Sequence, residues 1–274
     1  MIFNPLYRLL FFLCLAVSFH TAVLAQEPVP PQRAHSIKPT EKPTIRVGGY
    51  QFAPYVDLHN GHYTGLTLDI IDALNQIQQE VIFEFTITSI EHRYKAYALG
   101  RFDMLIFENP TRGWHNINYH FIPLHMLDGE VLIALNAKAQ DQHYFKNLTG
   151  KSIAIVKGYH YRFANFKTSP DTLSLQFNPL FVNNNTASIQ SVLRGRADIA
   201  PVTHSYLQYY LKMNPQDKPL LLIADKWDQA YDNGILLNPQ SVLDEKQLSH
   251  WIKLLINNGK LSELAAEYAI TLKQ

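Results

Sequence analysis

Three charged residues have the chemistry to bind a small ionised ligand. Arg112 follows an apolar segment, residues 104–107, that is typical of a buried strand. Its planar guanidinium can bind a carboxylate through two parallel hydrogen bonds, which a lysine cannot copy. Glu108 ends the same segment, and we expect it either to hold Arg112 in place or to bind a ligand amine. Arg93 lies at a strand-to-helix turn and is a second candidate for a carboxylate, although both arginines are also compatible with an ordinary surface position.

Aromatic and histidine side chains follow two other strand-like segments. Phe52 offers a flat apolar face that would exclude water and strengthen polar contacts behind it, or it simply packs in its turn. Tyr159 and His160 follow Gly158 at a predicted helix start, where backbone N–H groups favour an anion. Both side chains are equally compatible with packing or exposure, so they remain candidates for ligand binding.

Thr203 and His204 complete the candidate site. They follow the apolar segment 199–202, and we expect them at the same edge of a sheet as the other candidates. By contrast, we interpret Asp69, Asp103 and Asp198 as structural. A carboxylate at a helix start or before a strand accepts N–H bonds from the turn and stays ionised without touching a ligand.

Strand-like and helix-like segments alternate from Thr44 to the C-terminus, which predicts βαβ units, mainly parallel sheets and helices on both faces. Leu66, Ile70, Leu74 and Ile77 repeat at helical spacing, with Thr64 or Thr67 as the cap. The predicted strands are 44–47, 81–88, 104–107, 152–156, 174–182 and 199–202. The other predicted helices are 94–99, 159–166, one capped by Thr186, 206–211 and two near the C-terminus, separated by Asn258-Gly259.

The chain repeats itself at two places. The segment IRVGGY at 45–50 parallels IAIVKGY at 153–159, and GRFD at 100–103 parallels GRAD at 195–198. In each GRxD motif the glycine can adopt the left-handed conformation that ends a helix, and an apolar strand follows at once. Two such echoes in the same order predict two α/β lobes.

The order and spacing of several motifs resemble those of the family 3 extracellular solute-binding proteins, the amino-acid-binding components of bacterial ABC importers. The likeness covers nearly everything after residue 43. The motifs are FAPY (52–55), GLTLDI (65–70), LGRFDMLI (99–106), TR (111–112), LTGKSIAIVKG (148–158), LRGRADIAPV (193–202) and NNGKL (257–261).

This resemblance implies an α/β protein with a periplasmic-binding-protein-like type II fold, in which two lobes are joined by two crossover strands. We place the crossings near 131–137 and 228–237, so that lobe one is 44–132 plus 233–274 and lobe two is 133–232. A ligand would lie in the cleft between the lobes, at the C-terminal ends of the strands, and the lobes would close on it by a hinge motion.

The chain departs from the family pattern at the position that usually binds the α-amino group of the ligand. The acidic residue expected there falls at Thr203, which has no charge. An amino acid needs an anion for its ammonium group, because a buried unpaired charge is costly. Either Glu108 supplies that anion or the ligand is not a standard α-amino acid.

The resemblance implies a protein that captures a small polar solute, an amino acid or a related carboxylate, for an inner-membrane ABC permease. A sensor or accessory role through a membrane partner needs the same cleft and remains open. A dehydratase-like enzyme, with Glu108 and His160 or His204 as acid and base, is a further alternative. The sequence has no Ser-His-Asp order, phosphate loop or paired carboxylate motif, so we expect no catalytic residues.

We expect no metal or cofactor and no nucleic-acid partner, and we expect a monomer. His59 and His62 form the closest histidine pair, but they lie in a turn without a third ligand nearby. Residues 1–25 resemble a signal peptide, with Arg8 before an apolar core and small residues before position 26. Removing them takes away the single cysteine, Cys14, and leaves 23 basic and 23 acidic residues. The prolines of 26–43 predict a tether, and the whole pattern predicts a periplasmic protein.

Overall fold

The structure of the chain is a computed structural model that describes residues 41–273. The predicted signal peptide, 1–25, lies outside the described residues, and so does the predicted tether, 26–43, except for its last three residues. Among the helices of 41–273, none combines the length and the hydropathy that crossing a membrane requires.

Strands and helices alternate along most of the described chain. The strands are β1 (Thr44–Gly49), β2 (Asp57–His59), β3 (His62–Thr64), β4 (Ile82–Ile87), β5 (Met104–Glu108), β6 (His120–Pro123), β7 (Met126–Leu127), β8 (Gly129–Leu135), β9 (Ser152–Val156), β10 (Asn178–Val182), β11 (Ile199–Thr203), β12 (Leu221–Ile223), β13 (Gln229–Ala230), β14 (Gly234–Leu237) and β15 (Thr271–Leu272). The helices are α1 (Leu66–Ile77), α2 (Arg93–Ala98), α3 (Asn136–Ala139), α4 (Pro170–Gln176), α5 (Asn185–Leu193), α6 (His204–Met213), α7 (Glu245–Asn257) and α8 (Lys260–Glu267).

Two sheets with the same internal order confirm the two α/β lobes. The first sheet has the order β4-β1-β5-β14-β6, and the second has the order β10-β9-β11-β8-β12, with β13 added beside β8. In each sheet the first three strands are parallel and the last two are antiparallel to their neighbours. The prediction of mainly parallel sheets is therefore correct for only part of each sheet. We call the structure around the first sheet lobe one and that around the second sheet lobe two.

The two GRxD motifs have the same structural role in their lobes. Gly100 and Gly195 have φ of 65° and 66°, the left-handed conformation that ends the preceding helix. The Asp103 carboxylate accepts a 2.8 Å hydrogen bond from the backbone N–H of Arg46, and Asp198 accepts one of 2.8 Å from the N–H of Ser152. Each aspartate thus ties the start of its strand to the neighbouring parallel strand of the same lobe, which confirms the structural interpretation of both.

The core of lobe one follows the predicted helical stripe. Leu66, Ile70 and Leu74 of α1 are fully buried and pack with α7 and α8 on one face of the first sheet. The predicted caps are wrong, because α1 begins after Gly65 without a side-chain cap and Thr67 lies buried within the helix.

The second lobe departs from the prediction after β9. Residues 159–166 form only a single 3-10 turn, Arg162–Ala164, instead of a helix. Tyr161 explains the difference, because its ring is fully buried and its hydroxyl contacts the N–H of Val156 at 3.1 Å, which holds the chain extended. The predicted strand 174–182 begins only at Asn178, since α4 occupies the preceding residues. The helix α5 is capped by Asn184 rather than Thr186.

Two connections join the lobes. The first lies at about residues 128–129, because β7 pairs with β15 in lobe one and Glu130–Ala134 pair along β11 in lobe two. The predicted first crossing, 131–137, therefore falls within β8 of the second sheet and the start of α3. The second connection spans 231–233, between β13 and β14, within the predicted range. The exact lobe boundaries, 44–132 plus 233–274 and 133–232, stay a prediction.

Asp128 links the lobes at the first connection. Its carboxylate accepts 2.6 Å bonds from the hydroxyls of Tyr55 in lobe one and Ser205 in lobe two. The N–H groups of Gly129 and Ser205 supply two more bonds, of 2.8 and 3.1 Å. Asp128 is 1% exposed, so a buried network of four hydrogen bonds fixes the position of the first connection.

Candidate functional site

A cavity of about 60 Å³ lies between the two lobes. It is at the carboxyl ends of β1, β5 and β9, because parallel strands of each sheet deliver their following turns to the same edge. Residues of lobe one, lobe two and the second connection line it, which gives a site that neither lobe contains alone. The volume has room for a few water-sized groups, so the lobes are nearly closed on one another.

Arg112 lines the cavity with an incompletely bonded guanidinium. Its Nη2 donates a 2.8 Å hydrogen bond to Oε1 of Gln229, and its Cζ lies 3.5 Å from the centre of the Phe166 ring. Burial lowers the pKa of Arg112, but an arginine remains charged at neutral pH. Within residues 41–273 its other N–H groups have no hydrogen-bond acceptor. The guanidinium therefore has donors to offer a carboxylate.

Gln229 connects Arg112 to the opposite wall. Its Nε2 donates a 2.7 Å hydrogen bond to the backbone oxygen of His160 in lobe two. The side chain is 5% exposed, so its position is set by these two bonds. Arg112 of lobe one is thereby held against lobe two through a single neutral amide.

Arg93 and Glu108 form a buried ion pair beside Arg112. Their side chains are 4% and 2% exposed, and Nε of Arg93 lies 3.1 Å from Oε1 of Glu108. The two atoms are close enough for an ion pair, but their angle is not that of a hydrogen bond. The Nη atoms of Arg93 donate to the Ile90 oxygen and to the Tyr94 hydroxyl. Glu108 thus holds Arg93 and not Arg112, contrary to one of its two predicted roles.

The second oxygen of Glu108 is also occupied, since it accepts a 2.9 Å hydrogen bond from Nε1 of Trp114. Burial raises the pKa of Glu108, and the charge of Arg93 acts against that rise. For Arg93 burial is the largest single influence and lowers the pKa, but Glu108, Tyr50 and Tyr94 together outweigh it and the net pKa is raised. Arg93 and Glu108 line the cavity as predicted, while their charges are directed mainly at each other.

Aromatic rings close the cavity on both sides. Phe52 of lobe one meets Tyr159 of lobe two edge-on, with 5.0 Å between the ring centroids. Phe52 also contacts Tyr55 at 5.0 Å and Tyr231 at 6.1 Å. The predicted apolar wall therefore exists, and Phe52 both packs in its turn and lines the cavity.

His160 lines the cavity as a neutral imidazole. Burial, with the charges of Arg93 and Arg112, lowers its pKa to about 4. The predicted anion site at a helix start beside Tyr159 is absent, because no helix begins there. Both side chains contribute to the wall, but by their own atoms and not through a helix terminus.

Thr203 and His204 do not line the cavity. Thr203 pairs with Glu130 across the sheet, so its side chain contacts that neighbour and accepts a 3.0 Å bond from Nδ2 of Asn185. His204 begins α6, and its ring lies 4.9 Å from that of Trp227. Contrary to the expectation, neither residue lines the cavity directly. Thr203 nevertheless contacts Glu130, which does line it.

Glu130 is a lining residue that the sequence analysis missed. It is 1% exposed, and its Oε1 accepts a hydrogen bond from the Tyr231 hydroxyl, with the Thr203 hydroxyl 3.4 Å away. Its Oε2 is buried and has no partner among the described residues. Burial raises the pKa of Glu130 to about 8, Tyr231 acts against the rise, and the charge of Asp128 adds to it. The signal available in the sequence for this residue was its position, an acidic residue directly before the apolar segment 131–135.

The described part of the chain contains no group of three or more His, Cys, Asp or Glu residues that could hold a metal ion. His59 and His62 face each other across the β2–β3 hairpin, where the closest acidic contact is Asp57, 3.4 Å from Nε2 of His59.

Solved structures with the same fold are numerous. A histidine kinase sensor domain with similarity to periplasmic binding proteins matches with a TM-score of 0.68 and 17% identity, over 85% of this chain and 99% of its own. The GluR0 ligand-binding core in complex with L-glutamate matches with a TM-score of 0.64 and 20% identity, over 84% and 99%. The substrate-binding protein of an amino acid ABC transporter matches with a TM-score of 0.63 and 20% identity, over 82% and 98%.

At the level of sequence, no protein-family model matches the chain, and no curated protein matches it either. The structural matches confirm the predicted architecture over more than four-fifths of the chain. The described residues therefore adopt the two-lobed α/β type II fold of periplasmic binding proteins, with a cavity between the lobes.

Proposed function

We propose that this protein captures a small solute with a carboxylate group, an amino acid or a close relative, by closing its two lobes around it. The observation that carries the proposal is Arg112, a charged guanidinium with free donors at an aromatic-lined cavity. A buried carboxylate would receive two parallel hydrogen bonds from this group. Phe52 and Tyr159 would exclude water from the pair and so strengthen it.

The contacts between the lobes support hinge closure as the motion. Arg112 meets Gln229 and Phe52 meets Tyr159 across the cavity, whereas within residues 41–273 the chain crosses between the lobes only at about 128–129 and at 231–233. Few residues need to change conformation to separate the walls, as is usual for hinged lobes. Solute would enter the open form and be enclosed when these contacts form.

Binding without catalysis fits the ionisable groups of the cavity best. Glu108 is held by Arg93 and Trp114, and His160, with a pKa of about 4, is a weak base at neutral pH. His204 lies outside the cavity, so the predicted alternative of a His–Glu acid–base pair has no support in the geometry.

We place the protein in the periplasm, on the basis of the signal-like residues 1–25, and expect it to act as a monomer. Delivery of the solute to an inner-membrane ABC permease is the role that the sequence resemblance favours. A sensor role through a membrane partner is the second candidate, since a histidine kinase sensor domain has the same fold. Growth on the bound solute after deletion of the gene separates the two roles, because only a transport protein limits uptake.

Thermal unfolding of the purified protein against L-amino acids, small dicarboxylates, polyamines and short peptides tests the proposal. A ligand at 100 times its Kd adds about 2.7 kcal/mol to the free energy of unfolding, which is a Tm shift of about 5–11 °C for a chain of this size. We expect such a shift with one or more carboxylate-containing compounds.

Arg112→Ala should abolish that shift, while Arg101→Ala, which alters an exposed arginine outside the cavity, should preserve it. A folded wild-type protein that shows no shift with any amino acid or carboxylate would contradict the proposal. A shift that survives in Arg112→Ala would contradict the assignment of the carboxylate to Arg112.

A further inference from the structure

Glu130 is an acidic residue in the cavity lining, and a pocket that binds only a simple carboxylate does not require one. Its side chain is 1% exposed, yet Oε2 has no hydrogen-bond partner among the described residues. A buried carboxyl oxygen without a partner costs free energy unless a ligand or a proton satisfies it. The other oxygen is fixed by Tyr231, so the free oxygen has a defined direction within the cavity lining.

Among the acidic residues that line the described cavity, only Glu130 has an oxygen with neither a hydrogen bond nor a counter-charge. Oε1 of Glu108 also lacks a hydrogen bond, but it lies 3.1 Å from Nε of Arg93, and its Oε2 accepts a hydrogen bond from Trp114. The oxygens of Asp128 each accept two hydrogen bonds, and Asp128 does not line the cavity. Asp228 accepts bonds from the backbone N–H groups of Arg162 and Phe163 through one oxygen, and it does not line the cavity either.

The charges of the cavity depend on the protonation of Glu130. Arg93 and Glu108 compensate each other, and His160 is neutral, so Arg112 contributes one positive charge. With Glu130 protonated the cavity carries a net positive charge and suits a monocarboxylate. With Glu130 ionised it is neutral overall and suits a zwitterion, in which an ammonium group balances Glu130 and a carboxylate balances Arg112.

We propose that Glu130 binds the ammonium group of an amino-acid ligand through its free Oε2 and releases a proton to solvent when it does so. This inference rests on the proposed function. It also supplies the anion that is absent at Thr203, because Thr203 lies beside Glu130 and contacts its other oxygen. Glu130 thereby determines whether the cavity selects amino acids or their deaminated analogues.

The environment of Glu130 agrees with a proton held until the ligand arrives. Its pKa of about 8 means that Glu130 is mostly protonated at pH 7. The groups that face it or share the cavity are Asp128, Asp228, Glu108, Tyr50, Tyr159, Tyr161, Tyr231, Arg93, Arg112 and His160. The pKa values of the four tyrosines are raised by burial and that of His160 is lowered, so the tyrosines and His160 do not titrate between pH 6 and 8.

The sign of the pH dependence follows from this linkage. An ammonium group needs ionised Glu130, so affinity for an amino acid should rise from pH 6 to pH 8, by roughly 50-fold when the bound-state pKa lies well below 6. A monocarboxylate gains nothing from ionised Glu130, so its affinity should stay level or fall over the same range. The two ligand classes therefore respond to pH in opposite ways.

Calorimetric titration with the twenty proteinogenic L-amino acids, followed by the 2-hydroxy acid of the tightest binder, tests the proposal. For the wild-type protein at pH 7, titrations in phosphate and Tris, which differ in ionisation enthalpy, should show a net release of protons, of up to one proton per amino acid bound. Glu130→Gln should weaken amino-acid binding about 100-fold and abolish its pH dependence. The same variant should bind the 2-hydroxy acid with nearly unchanged affinity, which would show that it is folded.

Glu84→Gln, at an exposed position of β4, is the matched control and should behave as the wild-type protein. Amino-acid binding without proton release, or with equal affinity and pH dependence in Glu130→Gln, would overturn this inference and leave the proposed function intact. A wild-type protein that binds only the 2-hydroxy acid would overturn the ammonium site alone. A folded wild-type protein that binds neither class would refute the proposed function, and this inference with it.

Discussion

We expect Glu108→Gln to destabilise the protein by about 3–5 kcal/mol, because it leaves the charge of Arg93 buried without a counter-ion. Both side chains are almost fully buried, and the charged atoms are 3.1 Å apart. Glutamine keeps the shape of the side chain and can still accept the hydrogen bond from Trp114. The measured loss should therefore come from the charge and not from a cavity.

The opposite change, Arg93→Met, should cost less at acidic pH, because a carboxyl group can take up a proton whereas a guanidinium cannot lose one. Burial raises the pKa of Glu108 and Arg93 acts against this, so removing Arg93 raises the pKa further. Because the pKa of Glu108 is then higher in the folded than in the unfolded protein, protonation of Glu108 stabilises the fold at low pH. This stabilisation is complete below the unfolded pKa of about 4.3 and is lost as the pH rises. The deficit of Arg93→Met should shrink from pH 7 to pH 5, by up to about 3 kcal/mol.

Urea unfolding followed by circular dichroism, on the two single variants and the double variant, measures these effects. The double variant should be more stable than Glu108→Gln alone, since it removes the orphan charge. Glu263→Gln, in an exposed pair with Lys260 at 2.9 Å, should leave the unfolding midpoint unchanged. A loss below about 1 kcal/mol for Glu108→Gln, or a double variant no better than Glu108→Gln, would refute the view that Arg93 and Glu108 balance each other.

Four further substitutions test other parts of the structure. The pKa of His160 is lowered in the folded protein, so the neutral side chain contributes stability above pH 6.5. This contribution, of up to about 3 kcal/mol, is lost as the pH falls towards 4. His160→Gln should remove this part of the pH dependence of unfolding. Asp128→Asn should cost about 1–3 kcal/mol in urea unfolding, because an amide cannot accept all four hydrogen bonds. Gly158→Ala should cost about 1 kcal/mol and weaken ligand binding in calorimetry, since φ is +79° and a Cβ would lie 3.1 Å from the Ile90 side chain. Leu248→Ala, at a fully buried position of α7, should lower stability in urea by about 2–5 kcal/mol without altering ligand selectivity.

Periodic patterns made the lobes predictable from the sequence. The two GRxD motifs place equivalent aspartates before equivalent strands, and the structure gives each the same hydrogen bond to the neighbouring strand. The stripe of Leu66, Ile70 and Leu74 likewise predicts the buried face of α1. These features depend on residues close in sequence, where spacing determines which side chains share a face.

The structure differs from the sequence predictions where contacts between residues distant in sequence determine the conformation of the chain. The segment after β9 is extended because Tyr161 is buried between elements that no local pattern specifies. Helix α6 begins at His204, directly after β11. The His204 ring contacts Trp227 and does not line the cavity.

The candidate site was only partly predictable for the same reason. Phe52 and Arg112 follow strands whose ends must meet at one edge, so their place in the cavity could be expected. Glu130, Gln229 and Tyr231 belong to the connections or adjoin them, and their approach depends on how two lobes pack together. The partner of Glu108 was predicted wrongly because two arginines lay within reach, and only the buried position of Arg93 decides between them.

The most direct test of the central claim compares an amino acid with its carboxamide, which retains the ammonium group but lacks the carboxylate. In calorimetric titration, the amino acid that shifts the Tm most should bind, and its carboxamide should bind at least about 100-fold more weakly, because Arg112 then faces a neutral group. In Arg112→Ala the two compounds should bind equally weakly. Equal affinity of the acid and the carboxamide for the wild-type protein would contradict the account, since the carboxylate would then play no part in recognition.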